Sequence, residues 1–327
     1  MLGAKLRDCI LEIRPESCII LCHHNADPDS IGSAYALSTL LSKILPELDF
    51  SIVAPESISL PSRRLIELLP KLEIYSDFDS SDLLIMVDTC SFAQLGALSS
   101  KVQNYPSPLI VIDHHSPHPD VSSKASLLIV DENASSTAEI IYSFYCDLSM
   151  EIDEFSALAL LVGMLYDSRR FVNAKPSTLR AAADLIDAGA NYSTALGVLY
   201  SPMDASERIA RLKAAQRLKI YRVKDWIIVA SHVGSFEASA ARALIELGAD
   251  VAFVAGGDEA SLRISARARS KFHSETGIHL GRDLMELVGK LIGGAGGGHA
   301  TAAGANGVGD PEEALDICVK MLIEKLS

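Results

Sequence analysis

Three short apolar runs in the N-terminal third of the chain stop on acids or histidines: CIILCHH (18–24), DLLIMVD (82–88) and LIVIDHH (109–115). A strand that is apolar at nearly every position has to be covered on both faces, which is the environment of a parallel sheet flanked by helices. DFSIVAP (49–55) and SLLIVDE (126–132) extend the series, and helical patterns at about 30–45 and 62–69 separate its members. In open α/β sheets ligands gather outside the carboxyl ends of the strands. The clusters CHHNAD, VDTC and DHH are therefore expected to meet at one rim, whatever their separation in sequence.

The 327 residues suffice for two domains. After ASSTAEIIYSFYCD, where Ser136 and Glu139 have capping-box spacing, comes the very apolar FSALALLVGMLYDSRRF, whose Asp167 closes another apolar run. The polar helical stretch DASERIARLKAAQRLKI (204–220) suits an interdomain helix. The expected organisation is an N-terminal, mostly parallel α/β domain over 1–195, a helical linker over 196–215, and a smaller α/β domain over 216–327. The second domain would contain DWIIVASHV, the helix SFEASAARALIELG, ADVAFVAGG, ASLRISARA, the helix LGRDLMELVGKLI, the loop GGAGGGHATAAGA and a last helix.

Hydrophobic residues make up 49% of the chain, yet no apolar run reaches the roughly 20 residues of a membrane span. The first residues lack a sustained apolar core and a small-residue cleavage site, so a cytoplasmic protein without a membrane partner is expected. Six cysteines are scattered without C-x-x-C spacing and read as buried free thiols. A formal net charge of −13 opposes stable binding to a long duplex, because no global basic field exists to displace counterions. Arginines do gather locally, at Arg169 and Arg170 and at Arg263, Arg267 and Arg269. Those are the places to expect phosphate.

Asp27 and Asp29 stand one residue apart, as in a calcium loop, but Ile31 and Ser38 occupy positions where an EF-hand needs ligands. A carboxylate pair with His23 four residues before it can instead direct His23 and Asp27 at one metal and Asp29 at a neighbour, an arrangement suited to two ions about 3.5–4 Å apart. The alternative is that Asp27 or Ser30 caps the following helix. Asp88 taken singly also reads as a cap or turn residue, and Asp167 as an ion-pair partner of Arg169 or Arg170. Asp113, His114 and His115 in succession are a costly way to make a turn. The combined carboxylate and imidazole set holds enough donors for two ions, and its chemistry favours Mn²⁺, with Mg²⁺ or Co²⁺ as substitutes, over thiolate-rich zinc. In GGAGGGHATAAGA no Lys-Ser or Lys-Thr follows the glycines, so it is no Walker loop. Successive amides there would form an anion nest, with His299 at its edge and Arg263, Arg267 and Arg269 on one face of the preceding strand. No G-x-S-x-G or H-E-x-x-H occurs, which leaves serine-hydrolase and zincin chemistry unsupported.

These residues resemble the four ordered motifs of the DHH phosphoesterases: HHNADPDSIGSA, MVDTC, DHH and GMLYDS, with GGAGGGHATAAGA resembling the glycine-rich GGGH hallmark of the C-terminal domain in the nanoRNase and RecJ-like branch. The resemblance implies that His23, Asp27 and Asp88 hold one Mn²⁺ and that Asp29, Asp88, His114 and Asp167 hold the second. Asp88, His114 and His115 would form the catalytic group, with His115 on the substrate phosphate. Arg267, His299 and the amides of Gly297 and Gly298 would bind substrate in a cleft between the domains. A water bridging the two ions would attack phosphorus. Where nanoRNase-like members carry Thr-Gly after the last aspartate, this chain has Ser168, Arg169 and Arg170, and Arg169 joins the substrate-binding set.

The expected activity is hydrolysis of short oligonucleotides or nucleotide phosphates, including 3′-phosphoadenosine phosphate. A RecJ-like single-strand exonuclease, a cyclic- or linear-dinucleotide phosphodiesterase, a pyrophosphatase and a non-catalytic nucleotide sensor are the alternatives. The acidic balance and the absence of an added oligonucleotide-binding domain weigh against the exonuclease. Symmetry alone makes a homodimer the default assembly.

Overall fold

The computed structural model describes residues 1–70, 72–200 and 203–326. The chain divides into two compact units, 1–201 and 202–327. The strands of the first are β1 (Ser17–Leu21), β2 (Asn25–Ala26), β3 (Asp49–Val53), β4 (Ser57–Ile58), β5 (Ile74–Tyr75), β6 (Leu83–Val87), β7 (Leu109–Asp113) and β8 (Leu127–Val130). Its helices are α1 (Leu2–Ile13), α2 (Pro28–Ile44), α3 (Leu60–Leu68), α4 (Ser99–Gln103), α5 (Pro119–Lys124), α6 (Thr137–Leu148), α7 (Glu154–Asp167), α8 (Pro176–Asp187) and α9 (Tyr192–Leu199).

Six strands form a wholly parallel sheet in the order β5-β3-β1-β6-β7-β8, while β2 and β4 pair apart from it. The continuous apolar runs have the cause anticipated for them. Leu83, Ile85 and Val87 of β6 enter the core on one face, and Leu84 and Met86 enter a separate core on the other. Helix α7 is buried from Ser156 through Leu165, so it shows no polar stripe. It crosses α2 at backbone contact: a Cβ on Gly32 would lie 2.3 Å from the Ala159 carbonyl oxygen. Gly32 thus belongs to the interior of α2, which begins at Pro28, rather than to the start of the helix.

The second unit contains α10 (Ala205–Arg217), β9 (Lys219–Val223), β10 (Trp226–Val233), α11 (Glu237–Glu246), β11 (Val251–Asp258), β12 (Ser261–Ala268), α12 (Ser270–Thr276), a π-helical turn (Leu280–Met285), α13 (Glu286–Leu291), β13 (Ala295–Gly298), β14 (Ala302–Gly307) and α14 (Pro311–Leu326). Its sheet runs β13-β14-β12-β11-β10-β9, parallel only between β10 and β11. Within the stretch read as a linker, α9 ends the first unit. α10 packs on the second, where Ser231 Oγ donates to the Ala214 carbonyl at 2.8 Å.

The six cysteines are free; Cys18, Cys22, Cys90 and Cys318 are buried, but Cys146 is exposed and Cys9 half-buried. Among the described residues no helix is long and apolar enough to cross a membrane.

Candidate metal centre

The chain builds β3 and β5 on one side of β1 and then returns to lay β6 on the other, so the strand order reverses between β1 and β6. A crevice opens at such a switch point, outside the carboxyl ends of the strands. His23 follows β1, Asp88 follows β6, and His114 and His115 follow β7. Asp27 and Asp29 stand at the start of α2, and Asp167 ends α7.

Asp88 lies at the middle of this group. Its Oδ2 faces His23 Nε2 at 3.8 Å, and that nitrogen is 3.7 Å from Asp27 Oδ1. Its Oδ1 faces His114 Nε2 at 3.7 Å, and that nitrogen is 3.1 Å from Asp167 Oδ2. The two oxygens of one carboxylate therefore address two different sets of donors. Within the set His23, Asp27 and Asp88, one donor atom per residue lies within 4.8 Å of every other, and the same holds for Asp29, Asp88, His114 and Asp167. Asp88 itself adopts φ 54, a left-handed backbone that Asp tolerates better than most residues but that is still concentrated at functional sites.

The supporting contacts come from helix ends. The Thr137 and Ala138 amides, at the N-terminus of α6, donate to the two oxygens of buried Asp29 at 2.7 and 2.9 Å, and Thr137 Oγ1 donates to Asp88 Oδ1 at 3.1 Å. Asp27 Oδ1 accepts from the Asp29 and Ser30 amides at 3.0 and 3.1 Å. The capping reading of Asp27 and its place in the cluster are thus both true. Space for Asp29 depends on Gly163 of α7, where a Cβ would lie 2.7 Å from Asp29 Oδ1. Gly163→Ala is expected to displace that carboxylate and to lower stability by about 1–3 kcal/mol through overpacking; a thermal melt together with a metal titration checks both effects.

The charge balance inside the cluster is unresolved by protein groups. Asp27, Asp29, Asp88 and Asp167 have no lysine or arginine partner among the described residues; their ion-pair contacts are to histidines. Burial, followed by repulsion from Asp88, Asp167 and Asp27, holds Asp29 well above the usual carboxylate range. Burial and the charges of Asp27, Asp113 and Asp167 push Asp88 up to about 7, against the pull of His114. For His23, burial works against the charged form, but Asp27, Asp88 and Asp113 outweigh it and the pKa rises. His114 Nε2 is buried, and its 3.1 Å contact with Asp167 Oδ2 lacks hydrogen-bond geometry. Crowded carboxylates around two imidazole nitrogens, with no lysine or arginine partner among the described residues, are the signature of a site that fits divalent cations.

His115 forms a third such set with Asp88, Asp113 and His114, its Nδ1 3.9 Å from Asp88 Oδ1. Its amide and Nδ1 both reach Asp113 Oδ1 at 2.8 Å. That bond to fully buried Asp113 raises the imidazole to about 9, against burial. The side chain is 58% exposed. Asp113 is thus a positioning residue for His115. His24 is exposed and its Nδ1 lies 2.8 Å from the Gln94 carbonyl, outside the cluster. Asp167 pairs with His114 and with neither Arg169 nor Arg170.

In the second unit the glycine stretch is not an open loop. It folds into the β13–β14 hairpin, and the His299 amide donates to the Ala302 carbonyl at 2.8 Å. Most of its glycines permit backbone-to-backbone contact: a Cβ on Gly296 would lie 1.9 Å from the Met285 oxygen, and one on Gly294 would lie 2.0 Å from the Asn306 oxygen. Gly297 is the more open position, with Glu286 Cγ 4.0 Å from its ideal Cβ. His299 is exposed at the hairpin turn. Arg267 pairs across from Ala302, and its Nε is buried without a partner. Burial and then the charge of Arg242 lower its pKa. The expected three-arginine face does not form. Arg269 lies beyond β12 and donates to the Ala249 and Ile245 carbonyls at 3.1 and 3.2 Å, while Arg263 is 3.5 Å from Glu237. Arg242 of α11 is the neighbour that no sequence signal linked to Arg267.

The N-terminal domain model of the DHH family matches residues 17–164, and the DHHA1 domain model matches residues 228–327. The uncharacterized protein MJ0988 of Methanocaldococcus jannaschii is 35% identical over 326 residues, with 96% of each chain covered. The cyclic-di-AMP phosphodiesterase GdpP of Bacillus subtilis is 29% identical over 303 residues, covering 87% of this chain and 44% of its own length. The bifunctional oligoribonuclease and PAP phosphatase NrnA of Bacillus subtilis is 30% identical over 193 residues, 57% of each chain. The chain thus spans about half the length of these last two relatives. An exopolyphosphatase-related protein from Bacteroides fragilis shares the fold, with a TM-score of 0.60 at 17% identity, covering 99% of this chain and 97% of that one. Two family domains in order and a full-length relative lead to one conclusion: the chain is a member of the DHH family of phosphoesterases, with the DHH domain in its first unit and the DHHA1 domain in its second.

Proposed function

We propose that the protein hydrolyses phosphoester bonds, the diesters of short oligonucleotides or the monoesters of nucleotide phosphates, with two divalent cations, Mn²⁺ first, and Mg²⁺ or Co²⁺ as substitutes. The observation that carries this reading is the placement of the two Asp88 oxygens between His23 with Asp27 and His114 with Asp167, with no lysine or arginine partner among the described residues. His23, Asp27 and Asp88 would hold one ion; Asp29, Asp88, His114 and Asp167 would hold the other. Such a pair supplies an acidified water and positive charge for the phosphoryl oxygens.

The chain's own residues do the rest. Thr137 and the N-terminus of α6 fix Asp29 and Asp88 so that no reorganisation is needed when substrate arrives. Asp113 holds the His115 ring, leaving Nε2 free to donate to a phosphate oxygen. In the second unit the reading assigns Arg267, His299 and the backbone of Gly297 and Gly298 to substrate phosphate, with unpartnered Arg267 Nε as its support. A dinucleotide phosphodiesterase is the second reading, favoured by the similarity to GdpP over 87% of this chain.

The test is an Mn²⁺ assay on RNA and DNA from dinucleotide to twenty-mer, with 3′-phosphoadenosine phosphate, cyclic dinucleotides and pyrophosphate alongside. Rates should be highest for the shortest oligonucleotides and fall with length. Turnover of pyrophosphate alone, or no turnover at all, would overturn the proposal. His299→Ala should raise KM about tenfold, roughly one charge-assisted hydrogen bond, and leave the Mn²⁺ stoichiometry intact.

A further inference from the structure

The turn after α7 carries three successive non-glycine residues in the left-handed region: Arg169 (φ 51), Arg170 (φ 56) and Phe171 (φ 68). L-residues are disfavoured there by contact between Cβ and the following carbonyl oxygen, so such a turn persists only where its surroundings over-determine it. They do so here. The Arg170 amide donates to the Leu165 carbonyl at 2.7 Å and the Asn173 amide to the Ser168 carbonyl at 2.9 Å. The Phe171 amide donates to Ser168 Oγ at 3.0 Å, and its ring stacks on Tyr192 with 6° between the planes.

This conformation sets the direction of two arginines. Neither guanidinium has an ion-pair or hydrogen-bond partner among the described residues. Both border a cavity of about 270 Å³ that Pro61, Leu165, Tyr166 and Leu199 complete. Arg170 also borders a second cavity, of about 380 Å³, against Leu196, Gly197 and Tyr200. Tyr166 and Tyr200 are 38% and 58% exposed. Tyr166, which lines the first cavity, also feels the metal-centre carboxylates: burial and then the charges of Asp27, Asp167 and Asp88 raise its pKa.

Two unpaired cations, two exposed aromatic rings and an apolar floor, with no carboxylate in either lining, match what single-stranded nucleic acid requires: guanidinium groups for backbone phosphate and π-faces for bases. In a chain of net charge −13, unpaired arginines beside an acidic cluster are a local feature and not part of a general basic surface. We propose that this turn is a second nucleotide site of the DHH domain, where Arg169 and Arg170 bind the phosphate next to the scissile one and Tyr166 and Tyr200 stack the bases. The proposal rests on the phosphodiesterase reading and extends it by giving the strand a second point of contact beyond the scissile phosphate.

Binding of a nuclease-resistant phosphorothioate tetranucleotide to the Mn²⁺-loaded full chain, read by fluorescence anisotropy, tests it against binding of a mononucleotide phosphate. Arg170→Ala is expected to raise the tetranucleotide Kd about tenfold or more, and several times more than the mononucleotide Kd. Arg170→Gly separates function from backbone, because glycine suits φ 56: its Tm should equal or exceed the wild-type value while tetranucleotide binding falls as in the alanine variant. An unchanged tetranucleotide Kd in either variant overturns the second site, as does an equal loss for both ligands. Competition by an acidic peptide for Arg170, with no tetranucleotide binding, would assign the turn to a protein partner and also overturn it. Tetranucleotide binding through Arg170 in a chain that hydrolyses nothing would instead sink the phosphodiesterase reading and leave this site standing.

Discussion

Asp88→Asn is expected to lower kcat on a dinucleotide by on the order of 10⁴-fold or more, as loss of one member of an interdependent catalytic group does. Asparagine keeps the volume, tolerates the left-handed backbone at φ 54 and retains one acceptor for Thr137. What it removes is the negative charge and the second donor oxygen. Asp88 presents one oxygen to His23 and the other to His114, so the substitution strikes both donor sets at once. Asp27→Asn and Asp167→Asn each strike one set and should be less damaging. His24→Ala is the control, because His24 is exposed and reaches only the Gln94 carbonyl; activity within about threefold of wild type is expected of it. Steady-state kinetics in Mn²⁺ on the four variants decides the ranking. A mild Asp88→Asn phenotype would remove Asp88 from its central place.

The same substitution should stabilise the metal-free protein, increasingly so as pH rises. An unfolded aspartate titrates near 3.9, whereas burial and the carboxylates of Asp27, Asp113 and Asp167 push folded Asp88 up to about 7. Between these values the folded state binds more protons than the unfolded one, so the Asp88 contribution to stability falls as pH rises and is fully lost above about 7. Asparagine has no proton to lose. In EDTA the Tm of Asp88→Asn should therefore match wild type near pH 4 and exceed it at pH 8, where the stability difference is on the order of 4 kcal/mol at most. Adding Mn²⁺ should reverse the order, since cations bind the ionised carboxylates of the wild type and stabilise the state that holds them. Melting curves at three pH values, with EDTA and with Mn²⁺, give the comparison. A wild-type advantage at pH 8 in EDTA would contradict the charge balance described here.

Much of this centre was legible because its residues lie where apolar runs stop. β6 and β7 are buried on both faces, which erases alternation and makes Asp88 and Asp113 visible as the first polar residues after each run. Strand order was not legible, since nothing local tells the chain to return from β5 to the far side of β1. The contacts of Asp29 with the α6 amides escaped for a related reason: a backbone N–H carries no sequence signal, and only the capping spacing at Ser136 marked that helix end. The glycine stretch was read as a nest because glycine and alanine leave no alternating pattern, yet their small size is what lets β13 lie against Met285. The left-handed turn at Arg169–Phe171 was invisible as a turn, because bulky residues there give the opposite propensity signal.

The central claim is that one carboxylate, Asp88, joins two cation sites. Mn²⁺ titration of the protein followed by electron paramagnetic resonance tests it without reference to turnover. Two ions per chain with an exchange-coupled spectrum, reduced to uncoupled or single-ion binding in Asp88→Asn, is the predicted result. A single ion in wild type, or a coupled pair that survives Asp88→Asn, would contradict it.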